Sequence, residues 1–259
     1  MFAGPKGWLY AQAMLSLLCR TQMILGWTWR TMLNGEEAFW GGLLGHDGMP
    51  TPNFEEYRRI AADFRKLEAT GLFPRRAEPG IAVAFSQESL WATQAHAIQF
   101  RQRYTDAVLQ AHKALYALNL DYNMVNLRDL KRDYALLIVP GHVMMDERSA
   151  EALRSYVHAF GRGTACYLAA EANEALLARL IRDRFAAPDI PEGVQMRELA
   201  PGRRFYVNLT NQPAKLALSQ PARGLLSDTQ PQDTLVLPPY GAELLTEVGE
   251  ADGTSHFGE

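Results

Sequence analysis

The spacing of apolar residues changes twice along the chain: helical over the first 75 residues, short continuous runs after residue 80, and closely set strand-like runs after residue 193. Leu9, Ala13, Leu17 and Met23 fall near one stripe, which predicts a helix over 8–25, followed by a short apolar strand at Ile24–Trp29. From Phe54 to Leu72, Tyr57, Ile60, Ala61, Phe64 and Leu67 line one face of a second helix, with Arg, Glu and Lys on the other. Gly71 ends it and Pro74 prevents its continuation. Helix, strand, long loop and helix make the kind of unit that closes an α/β barrel.

Beyond a polar linker at 75–80, the runs Ile81–Phe85, Tyr122–Val125, Ala135–Pro140 and Thr164–Ala169 read as apolar strands. They alternate with helices expected at Ala95–Leu118, Glu147–Phe160 and Glu171–Phe185. Near-continuous apolar strands between helices argue for a parallel sheet covered on both faces, a doubly wound α/β domain. After Val194 the runs Val194–Leu199, Arg204–Leu209, Lys215–Leu218, Thr234–Leu237 and Ala242–Thr246 are separated by turn residues with no helix between them, which predicts a small antiparallel β domain. The expected fold class is α/β, with domains at 1–75, 76–188 and 189–248 and a disordered tail at 249–259.

Composition narrows the function classes. A net charge of −3 gives no basic footprint for nucleic acid. Gln12, Arg20, Thr21 and Gln22 interrupt the apolar stretch Ala11–Leu25, so no membrane span is expected, and no secretory signal is recognisable. Two cysteines, Cys19 and Cys166, suit a reducing compartment, and a cytoplasmic location follows as the expectation. The Asn208-Leu209-Thr210 sequon then carries no glycan.

Chemistry concentrates between Gly26 and Gly48, where Trp27, Trp29, Arg30, Glu36, Glu37 and Trp40 lie close together. Indoles stack on the apolar face of a hexose and carboxylates accept hydrogen bonds from its hydroxyls, so the run reads as one wall of a sugar pocket. A solvated Asn-Gly turn with surface glutamates is the competing reading, and Arg30 serves equally as a carboxylate-orienting group or a structural ion-pair partner. His46-Asp47 supplies two ligand types but no third at metal spacing, so a loop hydrogen-bonding role is expected and no metal site. Cys166 sits in an apolar strand interior and reads as an inert thiol; Gly161-Arg162-Gly163 precedes a strand and reads as a turn. The histidines form no triad, and no cofactor motif is found.

Three sets of segments in order resemble the C-terminal half of the family-42 glycoside hydrolases, the bacterial β-galactosidases. Trp29-Arg30, Gly35-Glu36-Glu37 and Leu43 to Gly48 look like the last barrel strand and its loop. Asp133 to Pro140 and Leu153 to Val157 look like the trimerisation domain, an amidotransferase-like fold without that chemistry. Arg204 to Asn208 and Leu237 to Gly241 look like the C-terminal β domain. The resemblance implies retaining hydrolysis by two glutamates, a galactoside substrate and a homotrimer in the intact family.

It also implies what this chain lacks. A whole barrel takes roughly 250 residues, and only about 75 precede the linker, so the acid/base strand is expected to be absent. In a subset of the family the nucleophile lies in a Glu-x-Gln-Ala-Gly-Pro-like stretch; this chain opens Met1-Phe2-Ala3-Gly4-Pro5, without the glutamate. No catalytic residue is therefore carried over. Glu37 matches the glutamate that holds sugar hydroxyls, with Trp29, Arg30 and Trp40 as further substrate-binding residues; Trp40 stands where many members have a histidine. After Phe160 the family's domain runs on, whereas Gly161 to Leu168 follows here at once, as an internal deletion would leave it. The alternative is a non-catalytic α/β oligomerisation or ligand-binding module. An amidotransferase would need an exposed Cys elbow with a partner His.

Overall fold

The computed structural model describes residues 4–73, 78–95, 103–130, 133–159 and 172–248. They form two compact units, Glu78–Asp189 and, together, the two ends of the chain, Met1–Ala77 with Ile190–Glu259.

The first helix, α1 (Trp8–Leu18), buries Tyr10, Ala11, Met14 and Leu18. It ends well short of the expected residue 25. Arg20 turns into the left-handed region at φ 67°, and the Thr21 and Arg20 N–H groups donate back to the Ser16 and Leu17 carbonyls, each at 3.0 Å. That closes the helix as a Schellman turn, which a glycine usually signals. The expected strand at Ile24–Trp29 is also corrected. The Thr28 and Trp29 carbonyls accept from Leu43 and Leu44, but no backbone N–H of residues 22–29 has a partner among the described residues. Just after that stretch, Arg30 makes an isolated parallel bridge with Leu44, which also bridges Pro50 in the antiparallel sense. The second helix, α2 (Pro52–Glu68), opens on a proline whose missing N–H costs nothing at that position.

In the middle unit, β1 (Ile81–Ala84) has all four residues buried, as a central parallel strand should. The helices α3 (Gln87–Ala95) and α4 (Tyr104–Ala117) follow, then β2 (Asn123–Val125), β3 (Leu136–Ile138), α5 (Glu147–Ala159) and α6 (Glu174–Arg182). The sheet is parallel, in the order β2-β1-β3. Of the helix expected over Ala95–Leu118, α4 takes Tyr104–Ala117, and 96–102 lie outside the described residues. The unforeseen α3 starts early because the Ser86 hydroxyl oxygen caps it, accepting the Ser89 N–H at 3.0 Å. Ile81 and Val83 pack with Ala111, Ala114 and Leu115 of α4 and Leu177, Ala178 and Ile181 of α6. The expected strand at Thr164–Ala169 with Cys166, the Gly161–Gly163 turn, the shortening near 160–163 and the tail lie outside the described residues.

The remaining strands are β4 (Val194–Ala200), β5 (Arg203–Asn208), β6 (Ala214–Ala217), β7 (Ala222–Gly224), β8 (Thr234–Leu237) and β9 (Ala242–Glu247). Four make an antiparallel sheet in the order β4-β5-β9-β7, and β6 pairs with β8. The three-residue β7, which contains a glycine, has no legible alternation and was not expected. Side chains alternate across β5. Phe205 and Val207 join Tyr10, Met14, Leu18 and Leu67 in one core, whereas Tyr206 joins Leu216, Leu235, Leu237 and Leu245 in another. The sheet therefore shares its core with α1 and α2. Burying Tyr10, Met14, Leu18 and Phe205 contributes roughly 1.5–3 kcal/mol each.

Candidate functional site

The sugar-wall residues lie on a loop laced to itself by short-range bonds. Buried Thr31 is the hub: its N–H and hydroxyl both donate to the Leu44 carbonyl at 2.9 Å, and its hydroxyl oxygen accepts the Gly42 N–H at 2.9 Å. Thr51 closes the other end, donating its hydroxyl to the Gly42 and Leu43 carbonyls. Gly42 is needed here, because a Cβ would lie 2.7 Å from the Thr31 nitrogen and 2.8 Å from the Thr28 oxygen.

A short 3-10 turn, Glu36–Phe39, carries Glu37 at its second position. The Trp27 indole N–H donates to Glu37 Oε2 at 3.1 Å, which fixes one oxygen of a half-buried carboxylate and leaves the rest of its acceptor capacity for other donors. Trp29 is 64% exposed and meets Phe54 edge-to-face at 6.5 Å. Trp40 is 57% exposed and is tied to Glu37 only through the backbone, by its N–H to the Glu37 carbonyl. Arg30 points to the far end of the loop, donating to the His46 carbonyl at 3.0 Å. His46 Nε2 donates to the Ala38 carbonyl at 2.8 Å, and Asp47 accepts the Met49 N–H at 2.9 Å. These are loop hydrogen bonds, and the described residues contain no group of three metal-ligating side chains.

Of the expected site residues, then, Glu37 is joined to the Trp27 indole, while Trp29, Trp40 and Arg30 make no direct side-chain bond to it. Around them the surface is unusually apolar: Met23, Leu25, Trp27, Trp29, Leu33, Phe39, Trp40 and Met49 are all more than half exposed. Sequence reading missed the tie from Trp27 to Glu37, since ten residues separate the pair and nothing in their spacing marks it. It also missed a second polar cluster. Arg128 bridges Glu88 at 2.6 Å and Asp146 at 2.7 Å at the carboxyl ends of the parallel strands. Hydrogen bonds from Ser149, then the Arg128 guanidinium, hold the Asp146 carboxyl down at about 2.

Residues 80–162 match the family described as the β-galactosidase trimerisation domain. A β-galactosidase of the psychrophile Marinomonas ef1 superposes on 95% of this chain and 50% of its own, with a TM-score of 0.78 at 14% identity. Gan42B, a family-42 β-galactosidase of G. stearothermophilus, gives 0.77 at 14% over 94% and 51%. In sequence, the β-galactosidase BgaP of a Planococcus is 28% identical over 153 residues, which is 58% of this chain and 22% of that protein. Residues 80–162 are thus similar to a β-galactosidase trimerisation domain, and the fold is that of β-galactosidase structures such as the family-42 enzyme Gan42B. The chain spans about half the length of these β-galactosidase structures and matches about a fifth of the Planococcus protein. No helix among the described residues is long and apolar enough to cross a membrane.

Proposed function

We propose that this chain is part of a β-galactosidase, a retaining hydrolase of terminal β-D-galactosides. Residues 1–75 are the C-terminal end of its catalytic barrel, 76–188 its amidotransferase-like assembly domain and 189–248 its small β domain. The chain provides one wall of the galactose pocket. Glu37 accepts hydrogen bonds from sugar hydroxyls, Trp29 and Trp40 offer indole faces to the ring, and Arg30 steadies the loop through His46. The observation that carries this reading is the Trp27 bond to Glu37, which holds a carboxylate beside exposed indoles in a chain of β-galactosidase fold. Retaining hydrolysis divides its labour between two carboxyl groups about 5 Å apart, an acid/base and a nucleophile. Glu37 is neither, so the chain alone binds sugar without cleaving it.

The test has two arms. Purified chain should hydrolyse a chromogenic β-galactoside no faster than buffer, and turnover above that blank overturns the inactive reading. Galactose should perturb the tryptophan fluorescence with millimolar affinity, and Glu37→Ala should weaken the response at least about tenfold, the loss of one charged hydrogen-bond partner. A fluorescence response indifferent to that substitution removes Glu37 from the pocket. The match to a trimerisation domain also favours an assembly role: three copies associate through residues 76–188. If sugar binding fails while a trimer forms, the chain is a non-catalytic oligomerisation module.

A further inference from the structure

After β3, the chain places three apolar residues in a row in an exposed loop: Val143 at 41%, Met144 at 52% and Met145 at 42% exposure. Loops at strand ends are ordinarily polar and loosely held. This one is pinned at its start, middle and end. The His142 ring sits edge-on to Tyr104, 5.9 Å away. The Met144 N–H donates to the fully buried Ser89 hydroxyl oxygen at 3.1 Å, and that hydroxyl donates back to the Met144 carbonyl at 3.4 Å. Asp146 accepts from Arg128 and from the Ser149 N–H at 2.9 Å, and Arg128 in turn grips Glu88 on α3. Two residues beyond Ser89, the same α3 presents Trp91, 61% exposed.

A loop ordered by its backbone and by ion pairs, yet showing methionines and an indole to water, has already lost the entropy that binding would cost it. Tryptophan and methionine are also the residue types that enrich interface cores. We propose that the ridge Val143–Met145, with Trp91, is a face through which one copy of this chain docks on a second copy. The proposal rests on the assembly role given above to residues 76–188. All four residues fall inside the stretch, 80–162, that matches a trimerisation domain. The broader apolar surface between Met23 and Met49 lies outside that stretch. In a closed three-fold ring the contact is heterologous, so the ridge meets a different surface on the next copy.

Sedimentation velocity and light scattering of the full chain test this. The wild type should show three times the 29.0 kDa mass of one chain. Met144→Asp/Met145→Asp should shift it to a single chain, with unchanged circular dichroism, raising the dissociation constant at least about tenfold. Trp91→Asp should shift the mass in the same direction. Val236→Asp, a control at an exposed valine on β8, should leave it alone. If the double Asp variant loses its circular dichroism, Met144→Ser/Met145→Ser carries the same test without adding charge. A wild-type mass that the ridge variants leave unmoved overturns the ridge and spares the assembly role. A wild type that stays a single chain at every concentration overturns both, while galactose binding still tests the sugar wall on its own.

Discussion

Single side chains fasten backbone that lies far from them in sequence. Glu56 of α2 accepts the Gly7 and Tyr10 N–H groups at the start of α1, so a carboxylate 46 or more positions away caps that helix. Glu243 goes further: at 2% exposure its carboxylate accepts the N–H groups of Leu226, Ser227 and Leu244 and the Ser227 hydroxyl. Glu243→Ala leaves three backbone N–H donors without their acceptor in a site that water enters poorly, and each costs about 1–3 kcal/mol. The variant should lose at least about 3 kcal/mol in urea unfolding. Glu243→Gln, which keeps one acceptor, should lose less. Equal midpoints for wild type and Glu243→Ala would show that the loop reorganises at little cost. None of these ties was legible in the sequence, because a glutamate that caps a distant loop looks like any surface glutamate until the fold brings the loop to it.

At the scale of elements, the cluster after β3 predicts a pH response. The Asp146 carboxyl is held down from 3.8 to about 2 by the Ser149 hydrogen bonds and then by Arg128. Glu88 is also lowered, by a backbone N–H first and by Arg128 next. A carboxyl that titrates lower folded than unfolded adds stability above its unfolded value and loses it as pH falls through the folded one. The contribution of Asp146 therefore disappears between about pH 4 and pH 2. Amide exchange at Met144 and Ser149 should quicken across that window, and Asp146→Asn should flatten the change. Exchange with the same acid profile in the variant would remove Asp146 as the cause. Element type was legible wherever apolar spacing ran long: α2 and β5 stand within a few residues of where the pattern put them, and α4 lies inside its expected run. Ends and short pieces were not. An arginine in place of a glycine hid the end of α1, a serine cap opened α3, and β7 was too short to show a period.

At the scale of the molecule, the apolar surface from Met23 to Met49 sets the behaviour of the chain in water. Monomers seldom expose so many large hydrophobic residues side by side, and open extended backbone beside them invites further pairing. The purified chain should bind an apolar dye such as ANS strongly and aggregate as its concentration rises. Leu25→Lys with Phe39→Ser should reduce both while leaving the melting temperature within a few degrees, since both side chains are more than four-fifths exposed. Unchanged dye binding would place the apolar surface elsewhere. The sequence by itself determined the periods, and with them the α/β class, the run of strands after residue 193 and the order of segments that resembles family 42. Periodicity is a local property, written in neighbouring residues. Only the tertiary structure decided that α1 and α2 share a core with β5 and β9, that Trp27 holds Glu37, and that Ser89 and Arg128 stiffen the methionine ridge. Each of those depends on which distant groups the packed chain brings within hydrogen-bonding or van der Waals reach, and no local pattern records that.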